Sequence, residues 1–209
     1  MAMRAFIFGG GEIYAELMDE RPEGQDMVVC ADGGYENAGK LGAHINLLVG
    51  DFDSIGSIPS DVDEIVQVPA KKDVTDVQLA VKCAIERGAN DIIIVGSTDG
   101  RLDHTLSLIA VLEDLWDKKI PAHVVNGKNR VRYIRDSGVI LVRSAYKYFS
   151  VVALDRRVKG VTIEGGEYPL VKKDIERGFQ YAVSNEITKN AALINVKKGA
   201  VYVIESRDK

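Results

Sequence analysis

The sequence predicts an α/β region followed by an antiparallel β region, and three observations carry that prediction. Short apolar runs rich in Val and Ile recur at 5–8, 27–31, 45–49, 65–68, 91–95 and 122–125, and most stop at Gly or Asp. They are nearly continuous in hydrophobicity, as strands covered on both faces of a parallel sheet are. Helical patterns stand between several of them, and beyond about residue 126 those patterns cease.

In chain order, the first helix predicted with clear ends covers 75–87. Thr75 is placed to cap it and Gln78 stands three residues on, the spacing of a capping box. Val77, Val81, Ala84 and Ile85 then form one apolar stripe, and Gly88 marks the stop. A second helix is expected over 103–117, with Leu106, Ile109, Ala110 and the run Leu112 to Trp116 facing inward. Strand alternating with helix argues a mostly parallel sheet with flanking helices, a Rossmann-like arrangement. After residue 126 the runs 139–142, 146–154, 158–164, 191–196 and 200–205 are rich in Val, Ile and Tyr and broken by Gly, Asn and Lys-Lys-Gly turns. They predict a small antiparallel β-sandwich or barrel. The expected domains are therefore 1–126 and 127–209.

With 209 residues, 46% of them hydrophobic and 28% charged, the chain is long enough to bury a core without staples. Its net charge of −4 gives no field for nucleic acid. The halves differ sharply: residues 1–120 carry 10 Lys and Arg against 22 Asp and Glu, while residues 121–209 carry 17 against 9. Cys30 and Cys83 are isolated, which excludes a disulfide framework or zinc ribbon. The opening apolar stretch is too short for a signal peptide or membrane span, so a cytoplasmic protein without a membrane partner is expected. No GxSxG elbow and no Walker phosphate loop occurs, and Gly9-Gly10-Gly11 lacks the GxGxxG spacing. His44 and His123 stand alone and read as structural, and Trp116 as core.

Ligands of open α/β sheets bind at the carboxyl ends of the strands. There the sequence places Ala31-Asp32-Gly33-Gly34, then Gly50-Asp51-Phe52-Asp53-Ser54, then Lys72-Asp73-Val74-Thr75-Asp76, then Gly100-Arg101-Leu102-Asp103-His104. Taken singly, each has a local explanation: a turn, an Asx turn, a helix cap, a surface ion pair. Together they bring carboxylates from four strand ends to one rim. Two carboxylates about 4 Å apart repel by about 4 kcal/mol at an effective dielectric near 20, so such a rim calls for a cation. Magnesium suits it, since this hard ion takes carboxylate oxygens together with substrate phosphates. Asp51 and Asp53, two apart, point the same way if their segment is extended.

These motifs, with Val183-Ser184-Asn185-Glu186 and the stretch Tyr168-Pro169-Leu170 downstream, resemble the thiamine pyrophosphokinase family in order and over nearly the whole chain. One departure is Asp99, where the family often has the first of two glycines before the Arg. The resemblance implies a homodimer whose α/β domain binds ATP and magnesium and whose β domain binds thiamine and dimerises, with thiamine at the interface. It implies transfer of pyrophosphate from ATP to the thiamine hydroxyl, releasing AMP. It assigns Asp51, Asp53 and Asp73 to the metal and phosphates, with Asp32 and Gly33 lining the same place. Asp76 and Gln78 fall to the metal shell or thiamine, Arg101 to the phosphate oxygens, and Asp103 to orienting Arg101 or His104. Lys72 offsets phosphate charge, and Ser184 and Asn185 face thiamine. The general base stays open between a rim Asp and His104. A kinase acting on another small alcohol, or a thiamine or nucleotide sensor without catalysis, remains the alternative.

Overall fold

The computed structural model describes residues 3–52, 61–69, 73–96, 98 and 101–208. The chain divides into two compact units, Met1–Gly127 and Lys128–Lys209.

The first unit is built on six strands: β1 (Arg4–Phe8), β2 (Met27–Ala31), β3 (Ile45–Gly50), β4 (Val62–Gln67), β5 (Asp91–Val95) and β6 (Ala122–Val125). Within the unit they lie in the order β6-β5-β1-β2-β3-β4, every pair parallel. Central strands are buried on both faces because every second residue points to one side and both sides are apolar. Phe6, Phe8, Cys30, Leu48, Ile93 and Val95 join one cluster, while Ile7, Val29 and Leu47 are equally sealed. β4 alternates little and is largely exposed.

Helices α1 (Gly34–Lys40), α2 (Asp76–Glu86) and α3 (Leu102–Asp117) complete the unit, with a short 3-10 turn at Ala15–Leu17. α2 has the predicted box: the Thr75 hydroxyl accepts from the Gln78 N–H at 3.2 Å, and the Gln78 side chain accepts from the Thr75 N–H at 3.0 Å. Gly88 ends it at φ +98°, a backbone geometry that side chains resist. α3 buries Leu108, Val111, Leu112 and Leu115, spaced i, i+3, i+4, i+7. The expected inward face was turned too far: Leu106 is 54% exposed, Ala110 is exposed, and Trp116 is only half-buried. α1 went unforeseen, since its two glycines leave no apolar stripe. Gly34 is required there, because a Cβ would stand 1.9 Å from the Phe8 carbonyl oxygen.

The second unit holds β7 (Asn129–Arg135), β8 (Gly138–Val142), β9 (Tyr148–Ala153), β10 (Arg157–Glu164), β11 (Leu170–Glu176), β12 (Asn185–Glu186), β13 (Ala191–Lys198) and β14 (Ala200–Ser206). They form two antiparallel sheets, β12-β9-β14-β7 and β11-β10-β13-β8. Strict alternation sends Phe149, Val151, Val201 and Val203 of one sheet inward, and Leu141, Ile163, Ile194 and Val196 of the other. Two separate sheets make this the sandwich of the two expected forms. β7 and β11 were not foreseen, because Arg, Lys and Asp interrupt their apolar positions, nor was β12, only two polar residues long. Among the described residues no helix is long and apolar enough to cross a membrane.

Candidate active site

Because the strands of the first unit are parallel, their carboxyl ends share one edge. The order places β1 centrally, with β2 on one side and β5 on the other. The chain reverses direction of travel there, and such a switch opens a crevice between the loops that follow the two strands.

At the end of β2, Asp32 takes a left-handed backbone (φ +44°), which Asp tolerates better than most residues. Its N–H donates to the Val49 carbonyl at 2.9 Å. A Cβ on Gly50 would lie 3.3 Å from the Asp32 Cα, so the turns after β2 and β3 touch and Asp51 follows directly. Phe52 is also left-handed (φ +62°) and 7% exposed, its ring in the core cluster. The extended segment expected at 51–53 is therefore broken at its middle residue. A left-handed non-glycine costs about 1–3 kcal/mol, which burial of the aromatic ring offsets. Asp53 and Lys72 lie outside the described residues, as does Asp99.

Asp73 is exposed and Asp76 opens α2, where a carboxylate suits the helix dipole. Gln78 is exposed, and its side-chain oxygen accepts from the Thr75 N–H in the cap. Arg101 grips Asp103 through two bonds, Nε at 3.2 Å and a terminal nitrogen at 2.6 Å. That guanidinium holds the Asp103 carboxyl down to about 2, helped by the His104 backbone N–H. Both partners are more than half exposed, so the pair adds little to stability and Arg101 is easily released to another anion. His104 is exposed at the start of α3. Among the described residues, no group of three His, Cys, Asp or Glu side chains is arranged to hold a metal ion.

In the second unit Ser184 is exposed and left-handed (φ +56°), its N–H donating to the Ser150 hydroxyl at 3.0 Å. Asn185 is buried, 3% exposed. Its Nδ2 donates to the Tyr168 carbonyl at 2.8 Å, and its Oδ1 accepts from the Tyr168 and Glu186 N–H groups at 3.0 Å each. The amide thus clamps the backbone of Tyr168, whose own side chain is 63% exposed. Sequence reasoning also passed over Asn37, buried in α1 and bonded to the loop after β1. An amide in a helix interior is a weak signal of such a tie, since Asn is a poor helix former.

The model of the thiamin pyrophosphokinase catalytic domain matches residues 19–124, and the model of its vitamin B1 binding domain matches residues 137–201. The chain belongs to the thiamin pyrophosphokinase family. The thiamine pyrophosphokinase of Bacillus subtilis (strain 168) is 28% identical over 165 residues, covering 76% of this chain and 77% of that protein. Thiamin pyrophosphokinase 1 of Caenorhabditis elegans is 25% identical over 170 residues, covering 77% and 70%. The crystal structure of the family member from Geobacillus thermodenitrificans superposes with a TM-score of 0.82 at 27% identity, covering 99% of each chain. A family protein from Enterococcus faecalis gives 0.83 at 26% identity, covering all of both chains. Both family domains thus lie in this chain in order, one over the parallel sheet and one over the sandwich.

Proposed function

We propose that this chain transfers the pyrophosphoryl group of ATP to the hydroxyl of thiamine, giving thiamine diphosphate and AMP. The single observation that carries the reading is the common edge of the parallel sheet, where the turns bearing Asp32 and Asp51 touch, in a chain of this family. Hard carboxylate oxygens on glycine-bordered turns fit magnesium, and Asp51, Asp53 and Asp73 would hold it with Asp32 beside them. When bound, the ion neutralises phosphate charge and holds the triphosphate for in-line attack.

The remaining work falls to this chain's own side chains. Arg101 turns from Asp103 to the phosphate oxygens, its planar fork matched to two of them. Asp103 keeps that guanidinium oriented until the nucleotide arrives. Lys72 supplies a further positive charge, and Asp76 lines the approach at the start of α2. Asn185 and Ser184 shape the segment that presents Tyr168 to thiamine. The first unit serves ATP, the second thiamine and pairing with another copy, and the enzyme works in the cytoplasm. Incubation with thiamine and MgATP should yield AMP and thiamine diphosphate in equal amounts. ADP as the only nucleotide product would overturn the reading.

A further inference from the structure

Asn37 on α1 is 1% exposed, yet its amide is fully engaged. Nδ2 donates to the carbonyl oxygens of Gly9 and Gly11, each at 2.8 Å. Oδ1 accepts from the Lys40 ammonium at 3.0 Å. Both amide protons are therefore spent on the three-glycine loop that leaves β1. On its other side the Gly9 N–H donates to the Val95 carbonyl at 2.8 Å, which pins the loop to the end of β5. The loop spans the switch in the sheet and is held from both flanks.

Among the described residues no peptide is cis. In a trans peptide the C=O and the following N–H point in opposite directions. Aiming the Gly9 carbonyl at Asn37 turns the Gly10 N–H away from it, and the Gly11 carbonyl does the same for the Glu12 N–H. Gly10, Gly11 and Glu12 are exposed, and among the described residues no hydrogen bond takes their N–H groups. Two N–H groups turned away from Asn37 on one short loop are donors of the kind from which backbone builds a receptor for phosphate. Gly10 also lies against Gly33, next to Asp32. The exposed Glu12 carboxylate sits in water and is screened there.

We propose that Asn37 is a positioning residue for the nucleotide: it turns the Gly10 and Glu12 N–H groups outward to receive phosphate oxygens of ATP. The inference rests on the use of ATP proposed above. An aspartate at 37 would set a carboxylate against two carbonyls, and an alanine would free the loop.

The test uses the full chain as wild type, Asn37→Ala and Gly10→Ala. A methyl on Gly10 meets nothing closer than 3.9 Å, so that variant keeps its fold while crowding the receptor. Calorimetry with MgATP, thermal unfolding and AMP-formation kinetics are compared. Asn37→Ala should weaken MgATP binding and raise KM for MgATP by about tenfold or more, the effect of losing oriented hydrogen bonds, with KM for thiamine within about twofold. Gly10→Ala should weaken MgATP binding with an unchanged melting temperature. A purely structural Asn37 would lower the melting temperature and leave MgATP affinity and KM untouched, which overturns the proposal. Should Asn37→Ala not fold, unchanged MgATP affinity in Gly10→Ala overturns it instead. Wild type that neither binds MgATP nor forms AMP sinks the transfer reading as well. Active wild type with indifferent variants sinks this inference alone.

Discussion

The two edges of the parallel sheet use the same residue types for opposite ends. At the amino edge, Asp26 has a side chain 2% exposed and locked by Arg4, at 3.0 and 2.6 Å, and by the Glu23 N–H at 2.8 Å. Asp63 there binds both His44 and Asn46. At the carboxyl edge, Asp73 and the Arg101–Asp103 pair stand in solvent. Asp26, buried and bonded from two sides, holds strands in place. Asp73 and the Arg101–Asp103 pair face solvent where a substrate can reach them, and that difference in burial separates the two sets better than residue identity does.

The sharpest way to break the contrast is at the carboxyl edge. Asp51→Ala and Asp53→Ala should each cut AMP formation by about a thousandfold or more, about 4 kcal/mol in barrier, while the unfolding curve stays put. Rates within a few-fold of wild type would remove these acids from the reaction. Next comes Asn185→Ala in the second unit, where three hydrogen bonds of a buried amide are lost. Its unfolding free energy in urea should fall by about 2–3 kcal/mol. A loss of turnover with unaltered urea stability would show that Asn185 touches substrate after all.

Asp26→Asn extends the comparison to pH. Burial alone would raise the Asp26 carboxyl, but the Arg4 hydrogen bonds and the Glu23 N–H outweigh it and hold it below the ordinary 3.8. A depressed folded value means the stabilisation is complete above 3.8 and is lost as pH falls through that point toward the folded value. Wild type should exceed the Asn variant by about 1–3 kcal/mol at neutral pH, a figure discounted because Arg4 is a third exposed, and the gap should close in acid. A gap that persists at the acid end would refute the linkage. The smallest effect belongs to Asp103→Asn, which should leave the melting temperature unmoved while raising KM for MgATP. A clear drop in melting temperature would place that pair with the framework instead.

The amino-acid pattern made the parallel strands legible because burial on both faces demands unbroken apolar runs such as Asp91–Val95. α2 was legible because Thr75 and Gln78 cap it locally. What escaped was set by tertiary contact. Gly34 and Asn37 make sense only with Phe8 and the Gly9–Gly11 loop alongside, and Phe52 turns inward to pack into the core cluster. β7 and β11 hide their inward residues among Arg and Lys. At the site, the approach of the turns bearing Asp32 and Asp51 follows from their places after neighbouring parallel strands. The reading of Asn185 as a ligand group did not anticipate its grip on the Tyr168 backbone, which no one-dimensional spacing encodes.

The central place of β1 also shapes how the chain reaches its native state. β1 pairs with β2 soon after it in sequence, but its other neighbour is β5, with Arg4 opposite Asp91. Closing that pair brings together segments 87 residues apart, and distant pairings of this kind slow folding. On the ribosome, the greasy stretch Ala5–Phe8 must wait half-covered until most of the first unit has emerged. Nascent chains halted before residue 91 should therefore be the ones that chaperones hold longest.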